Sequence, residues 1–450
     1  MIHTPLLANR KRFRIFLFVL SFALLAGGTS AWAQPTPETV VLAHATVIDG
    51  TGAPPMADST VLIRAGRIAA VYPSASRAVP NGARVEDLAG KWIIPGLIDA
   101  HVHLSSGNGD LAHYRDLLSR LLLNGVTGVR DMAGDARVLG YLAREARLDA
   151  PGWPNIYYSA LMAGPSFFFE DPRVPDTSRG ILLGGAPWMR AVDETTDIRL
   201  VVAEAKATGA TGVKLYANLS AALVKDIVSE AHRQGMLVWA HATVFPARPG
   251  DVVAAGADTI SHTAYLAWEA APHVPADYRS RARADFTHIR PDDPRISALL
   301  QQMKERGTML DATLRVFHQQ VERSADAMGQ GILPWIYAVT RAAHNLGIPV
   351  DAGTDSEGMA GREANAGPAV ADELVLLVEQ CGFTPEAAIQ AATQVSAMVV
   401  GQAAERGTVA PGMAADLVVL SADPAADVRN VHKIVEVMKD GRVFKPAARQ

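Results

Sequence analysis

Two histidines one residue apart, His101 and His103, follow the apolar run Trp92–Asp99. On an extended backbone residues i and i+2 point the same way, so both imidazoles can grip one ion. A surface histidine pair has the same spacing, and the pair alone decides nothing. Three further residues shift the balance. His241 ends Leu237–Ala240, His262 follows Thr259–Ser261, and Asp355 closes Asp351-Ala-Gly-Thr-Asp355. Imidazole nitrogens with a hard carboxylate oxygen suit Zn2+ or a similar ion. Each of these residues taken singly reads as a hydrogen-bonded loop residue; the five together, all at strand ends, read as a metal site. Lys214 ends Gly212-Val-Lys-Leu215 beside that set. A protonated ammonium there repels divalent cations, and burial depresses its pKa. The alternative is a Lys214–Asp355 ion pair in a site without metal.

Residues so far apart need a scaffold that carries strand ends to one place. Three segments share one design: Gly125–Asp131, Gly209–Leu215 and Gly256–His262. Each follows an amphipathic helix, opens on a glycine that ends the helix, continues as an apolar strand and finishes on a polar residue. Ala231–Gly235 before Met236–His241, and Ala343–Gly347 before Ile348–Asp355, repeat the pattern. Repeated helix–strand units of this kind predict a (β/α)8 barrel, whose active sites lie at the C-terminal ends of the strands. The eight predicted strands are Trp92–Ile98, Gly128–Asp131, Asn155–Ser159, Gly212–Leu215, Leu237–Ala240, Thr259–Ser261, Met309–Ala312 and Pro349–Asp351. A doubly wound open sheet is the rival, and no G-x-G-x-x-G opens a helix in its support. Val40–Val71 alternates β-rich runs with turns, and Asp416–Leu420 and Ile434–Met438 read as strands at the other end. The expected organisation is a small β-sandwich domain from residues 38–91 and 404–447, around a barrel spanning 92–403.

The chain has 450 residues, 49% hydrophobic and 20% charged, with a net charge of -4. No basic face is implied, which argues against nucleic acid as a partner. Cys381 is the single cysteine, so an intrachain disulfide and a cysteine metal cluster are excluded. Residues 1–33 read as a secretory signal: basic Arg10, Lys11, Arg12 and Arg14, the apolar stretch Ile15–Ala26, and the cleavage pattern Ala31-Trp32-Ala33. The apolar run is shorter than the roughly 20 residues that span a bilayer. The expectation is therefore export to the periplasm or medium, with no stable membrane anchor after cleavage.

The motifs Pro95-Gly-Leu-Ile-Asp-Ala-His-Val-His-Leu104, Gly212-Val-Lys-Leu-Tyr216, Val238-Trp-Ala-His-Ala242, Asp258-Thr-Ile-Ser-His-Thr263 and Asp351-Ala-Gly-Thr-Asp-Ser356 occur in that order. Gly407–Leu417 adds the tail G-x-x-A-x-G-x-x-A-D-L. In these the chain resembles the amidohydrolase superfamily over nearly its whole length past the leader. The resemblance implies two divalent metal ions, with zinc the expected one. His101, His103 and Asp355 would hold one ion, His241 and His262 the other. Lys214 would be an N6-carboxylysine whose carbamate bridges both, which removes the charge conflict. Lys214 and His241 are 27 residues apart, His241 and His262 21. That spacing resembles the branch with prolidase-like and imidazolonepropionase-like members, and the lysine favours the two-metal, prolidase-like side. Ser261 departs from it, since relatives commonly carry Glu before this histidine; the position is not a ligand in the family, and the departure touches local support only.

The implied reaction is hydrolysis of an amide bond in a dipeptide or N-acyl amino acid. Two metals about 3.5–4 Å apart generate a bridging hydroxide. Asp355 would carry the proton to the leaving amine, a poor leaving group unless protonated. The alternatives are a deaminase, or a hydrolase of a cyclic amide, lactone or aryl amide. A periplasmic binding protein with a non-catalytic barrel is a third reading, against which the six candidate ligands weigh. Specificity then falls to the loops Met162–Arg173, Tyr265–Arg295, Arg315–Gln320 and Glu357–Pro368. Within them and beside them, Phe167 and Phe168 are candidate apolar walls, with loop packing the equal alternative, and Tyr216, Arg315 and His318 candidate polar contacts for a small-molecule amide substrate, with a packing role the equal alternative for Arg315 and His318. His232 and His344 sit on helices ahead of strands and read as structural. The partner expected besides substrate is at most a second copy of the chain, in a homo-oligomer.

Overall fold

The computed structural model describes residues 38–105, 110–148, 152–278, 283–324, 331–357 and 369–445; the leader read above lies outside them. Two sheets organise the described chain. The first is built from both ends: β1 (Thr39–Val47), β2 (Met56–Arg64), β3 (Arg67–Pro73), β4 (Arg84–Asp87) and β5 (Trp92–Pro95), joined late in the chain by strands at Leu417–Leu420, Ile434–Lys439 and Arg442–Phe444. β1 and β2 pair antiparallel, β5 lies parallel to β1, and Leu417–Leu420 runs antiparallel to β5. Alternation along β1 turns Val40, Leu42, Ala45 and Val47 into one apolar cluster with Ile93, Leu417 and Val419.

The second sheet is the barrel. Its strands are β6 (Leu97–His103), β7 (Val126–Asp131), β8 (Asn155–Ala163), then a short hairpin of β9 (Gly185–Ala186) and β10 (Met189–Ala191), then β11 (Gly212–Leu215), β12 (Leu237–His241), β13 (Thr259–Ser261) and β14 (Met309–Asp311). The eighth position is split into β15 (Val350–Asp351), parallel to β14, and β16 (Ser356–Glu357), parallel to β6. The barrel therefore closes across a break that holds Ala352–Asp355. Seven of the eight predicted strands are present as strands of the barrel sheet, the first is divided, and apart from the β9–β10 hairpin the barrel strands run parallel.

The helices between them start and stop where side-chain chemistry dictates. Asp110, Asp197 and Ser220 accept the backbone N–H three residues on, capping Leu111–Leu123, Ile198–Ala207 and Ala221–Arg233. Gly125, Gly209 and Gly256, the openers of the repeated segments, all adopt the left-handed backbone that turns a helix end into the next strand. Among the described residues no helix is long and apolar enough to cross a membrane.

One predicted strand divides. Trp92–Ile98 was expected to be continuous, yet Trp92–Pro95 belongs to the end sheet and Leu97 opens the barrel. Gly96 sits at the crossing, and a Cβ there would fall on the Thr127 side chain. The two sheets part where the Thr127 side chain leaves no room for a Cβ. Gly96→Ala is expected to destabilise the fold by about 1–3 kcal/mol, the usual cost of overpacking. Chemical denaturation of the two proteins measures this, and an unchanged midpoint would show that the crossing can widen.

Candidate metal centre

Parallel strands deliver their C-terminal residues to one mouth. His101 and His103 come from β6, Lys214 from β11, His241 from β12, His262 from the residue after β13, and Asp355 from the break before β16. All six line one cavity of about 680 Å3. One donor atom each of His101, His262 and Asp355 lies within 4.8 Å of the others. Asp355 Oδ1 is 3.4 Å from His101 Nε2 and 3.1 Å from His103 Nε2. The His241 ring stands 4.5 Å from that of His262, which in turn stands 5.0 Å from that of His101. Lys214 Nζ approaches Ser261 Oγ at 3.4 Å.

Electrostatics follow from burial. Desolvation lowers His101, takes His241 well below the usual imidazole range and brings His262 to about 3. These shifts favour the neutral imidazole, the form that offers a lone pair to a cation. Burial also works against the Asp355 carboxylate, but the imidazoles of His101, His103 and His262 outweigh it and hold the group below the carboxylate range. The hydrogen bond and charge of Asp355 overcome desolvation at His103 and raise it. Lys214 falls to about 7, chiefly by burial, with Asp311 and Asp355 opposing and Arg130 adding to the drop.

The second nitrogens are held from behind. His101 Nδ1 donates to Asp311 Oδ2 at 2.6 Å, and His262 Nδ1 meets Thr313 Oγ1 at 2.8 Å. Buried Asp131 accepts from the Leu104 N–H at 2.6 Å and steadies the chain just past His103. His241 Nδ1 is buried and has no hydrogen-bond partner among the described residues. Neutral imidazoles, an ionised carboxylate and an orphaned ring nitrogen at one cavity wall fit a divalent cation.

The predicted substrate contacts divide. Tyr216 and Phe167 line the cavity, with rings 4.8 Å apart, and the Tyr216 ring lies tilted 4.3 Å from that of His241. Phe168 does not. The Phe triplet lies on the helix Pro165–Glu170, where successive side chains diverge: Phe168 packs into the core beside Gly184 and Phe169 faces solvent. Arg315 and His318 also miss the cavity. Arg315–Gln320, expected as a loop, is helical within Leu314–Arg323. Val316, Phe317, Gln319, Gln320 and Arg323 face the cavity, while Arg315 Nε donates to Asp372 at 3.2 Å and His318 Nδ1 meets the Tyr337 hydroxyl at 2.6 Å. His232 bonds Asp258 at 2.9 Å, and His344 stacks on Phe383 at 3.6 Å. In the loop Glu357–Pro368, residues 358–368 lie outside the described residues.

Sequence reading missed Arg173 as a named contact. Its Nε and Nη2 bond the two Asp171 oxygens at 2.9 and 2.6 Å, and Nη2 also donates to the Tyr216 hydroxyl at 2.8 Å. The same Asp-x-Arg pairing recurs at Asp135–Arg137 and Asp293–Arg295, so the motif itself carries no functional signal. Tyr265, Tyr278, Phe245 and Trp268 complete an aromatic wall.

The amidohydrolase family profile matches residues 92–444. Ochratoxinase of Aspergillus niger is 26% identical over 418 residues, covering 78% of this chain and 75% of that protein. Its crystal structure superposes with a TM-score of 0.72 at 22% identity, over 91% of this chain and 96% of that one. A candidate prolidase from Bifidobacterium longum is 26% identical, with a TM-score of 0.69, over 91% of this chain and 95% of the other.

His318→Ala is expected to leave kcat/KM within about twofold of wild type, since a side chain bound to Tyr337 outside the cavity has no differential contact with a transition state. Steady-state kinetics on any hydrolysed amide reads this. A loss beyond about tenfold would return His318 to the cavity.

Proposed function

We propose, from the premise that the chain belongs to the amidohydrolase family and is a hydrolase acting on C–N bonds, that it cleaves the amide of an N-acyl amino acid or dipeptide at a two-metal centre. The observation that carries this reading is the gathering of His101, His103, His241, His262 and Asp355 around buried Lys214 at one cavity. In the reading, His101, His103 and Asp355 hold one ion and His241 and His262 the other. A lysine brought to about 7 keeps a free amine at neutral pH. That amine adds to CO2 and loses a proton, giving a carbamate anion suited to bridging two cations. Two divalent ions, zinc in this proposal, supply Lewis acidity and bring the pKa of water near neutrality.

The remaining work falls to side chains of this chain. An Asp355 carboxylate oxygen accepts the proton of the attacking water and returns it to the departing nitrogen. Arg173, braced by Asp171, offers a cation at the cavity wall beside the Tyr216 hydroxyl, and together they bind the carboxylate of the amino-acid half. The wall of Phe167, Tyr265, Tyr278 and Phe245 receives the acyl half and keeps bulk water from the amide. This lining favours a flat, ring-bearing acyl group. Export through the leader in residues 1–33 belongs to the same proposal.

Elemental analysis of the purified protein is expected to find about two divalent ions per chain, and Lys214→Ala to lose at least one of them together with activity. A single tightly held ion in a fully active Lys214→Ala protein would rule out the bridged pair. On the substrate side, converting the free carboxylate of a cleaved N-acyl amino acid to its primary amide should lower kcat/KM about 10- to 150-fold, the worth of a charge-assisted hydrogen bond. In Arg173→Met the two substrates should differ little. Equal cleavage of acid and amide by wild type would instead favour neutral cyclic amides or lactones.

A further inference from the structure

One buried carboxylate behind the cavity joins three side chains through a single oxygen. Asp311 ends β14 in direct register with Ser261 of β13. Its Oδ2 accepts from His101 Nδ1 at 2.6 Å, from Ser261 Oγ at 2.8 Å and from Arg130 Nη2 at 2.9 Å. Asp311, Arg130, Ser261 and His101 are all buried. Arg130 is itself fixed, stacked 4.9 Å over the Trp239 ring and bonded to the Ala100 carbonyl.

We infer that Asp311 is the positioning residue that sets two of the proposed metal-site side chains at once, His101 directly and Lys214 through Ser261; this rests on the two-metal reading above. The chemistry is directional. An ionised carboxylate only accepts, so His101 must carry its proton on Nδ1, which leaves the Nε2 lone pair facing Asp355 and the cavity. Ser261 spends its one hydroxyl proton on Asp311, so its oxygen lone pairs accept from Lys214 Nζ. A single oxygen thereby fixes the tautomer of one side chain and the reach of another, on opposite flanks of the centre. Thr313 does the corresponding service for His262 by a separate bond, so loss of Asp311 strikes His101 and Lys214 selectively.

The test measures zinc affinity of the metal-free full chain by competition with a chromogenic chelator, beside the melting temperature of each metal-free protein. Asp311→Asn is expected to weaken zinc binding about 10- to 100-fold, the range for losing such a supporting partner. A second variant, Ser261→Glu combined with Asp311→Ser, returns a carboxylate to the same in-register pair from the neighbouring strand; it should bind zinc about tenfold or more tighter than Asp311→Ser alone. Zinc binding by Asp311→Asn equal to wild type would overturn the inference and leave the metal centre intact. So would losses that merely track lowered melting temperatures with no recovery in the paired variant, since Asp311 would then serve only as counter-charge to Arg130. Failure of wild type itself to bind zinc would instead sink the metal reading on which the inference stands.

Discussion

Desolvation of groups that would repel one another if charged is the constraint on which the rest of this structure turns. Four imidazoles and a lysine meet at one cavity wall, and Asp355 is the carboxylate set among them. Two like charges 4 Å apart cost about 4 kcal/mol even at an effective dielectric of 20. Burial eases the conflict by favouring the neutral forms of His101, His241 and His262 and by drawing Lys214 to about 7. What results is a set of imidazole nitrogens and a carboxylate gathered at one cavity. The parallel barrel makes such crowding possible, since every strand contributes its C-terminal residue to the same mouth whatever its distance along the chain.

A barrel interior is ordinarily filled with branched apolar side chains. Here the layer under the donors carries Arg130, Asp311 and Asp351 instead. Arg130 contacts Asp311 at 2.9 Å and Asp351 at 4.0 Å. Burial, with Asp311 beside it, raises Asp351 well above the carboxylate range, whereas His101 and Arg130 overcome desolvation and keep Asp311 low. Buried pairs of this kind add little to stability compared with apolar packing of equal volume. Their presence directly beneath the cavity is better explained by what Asp311 does for the side chains above it.

The legible part of the site was the part written locally. His101, His103, Lys214, His241, His262 and Asp355 each lie at the end of a strand whose start is marked by a helix-ending glycine or an apolar run, and so could be read from short windows. Asp311 could not, because its partners His101 and Arg130 lie 210 and 181 residues away in sequence. Nor could the substrate wall. Arg315 and His318 were read on a loop, but a helix there turns 316, 319 and 323 toward the cavity and those two away. The Phe167–Phe169 run failed for the same reason: three adjacent rings on a helix point in three directions. The division of Trp92–Ile98 was hidden differently, since Gly96 matters only through Thr127 on the next strand.

Backbone geometry at the mouth shows what holding these donors costs. His262, Thr313 and Asp355 are not glycines, yet they have φ of 74°, 50° and 52°. Such conformations cost about 1–3 kcal/mol each and persist where surrounding contacts over-determine them. Those contacts are present. The His262 N–H donates to the Asp311 carbonyl at 2.8 Å, and the Asp355 N–H donates to the His101 carbonyl at 2.8 Å. Thr354, just before Asp355, is bonded through its hydroxyl and its N–H to the two oxygens of buried Asp99, at 2.7 and 3.1 Å. At both positions a left-handed turn at the end of a barrel strand diverts the chain where the metal-suited side chain stands. In the proposed metal site the strain has a use: a relaxed strand end at His262 or Asp355 would redirect a donor, and Asp99 and the backbone bonds to Asp311 and His101 lock the turns in place.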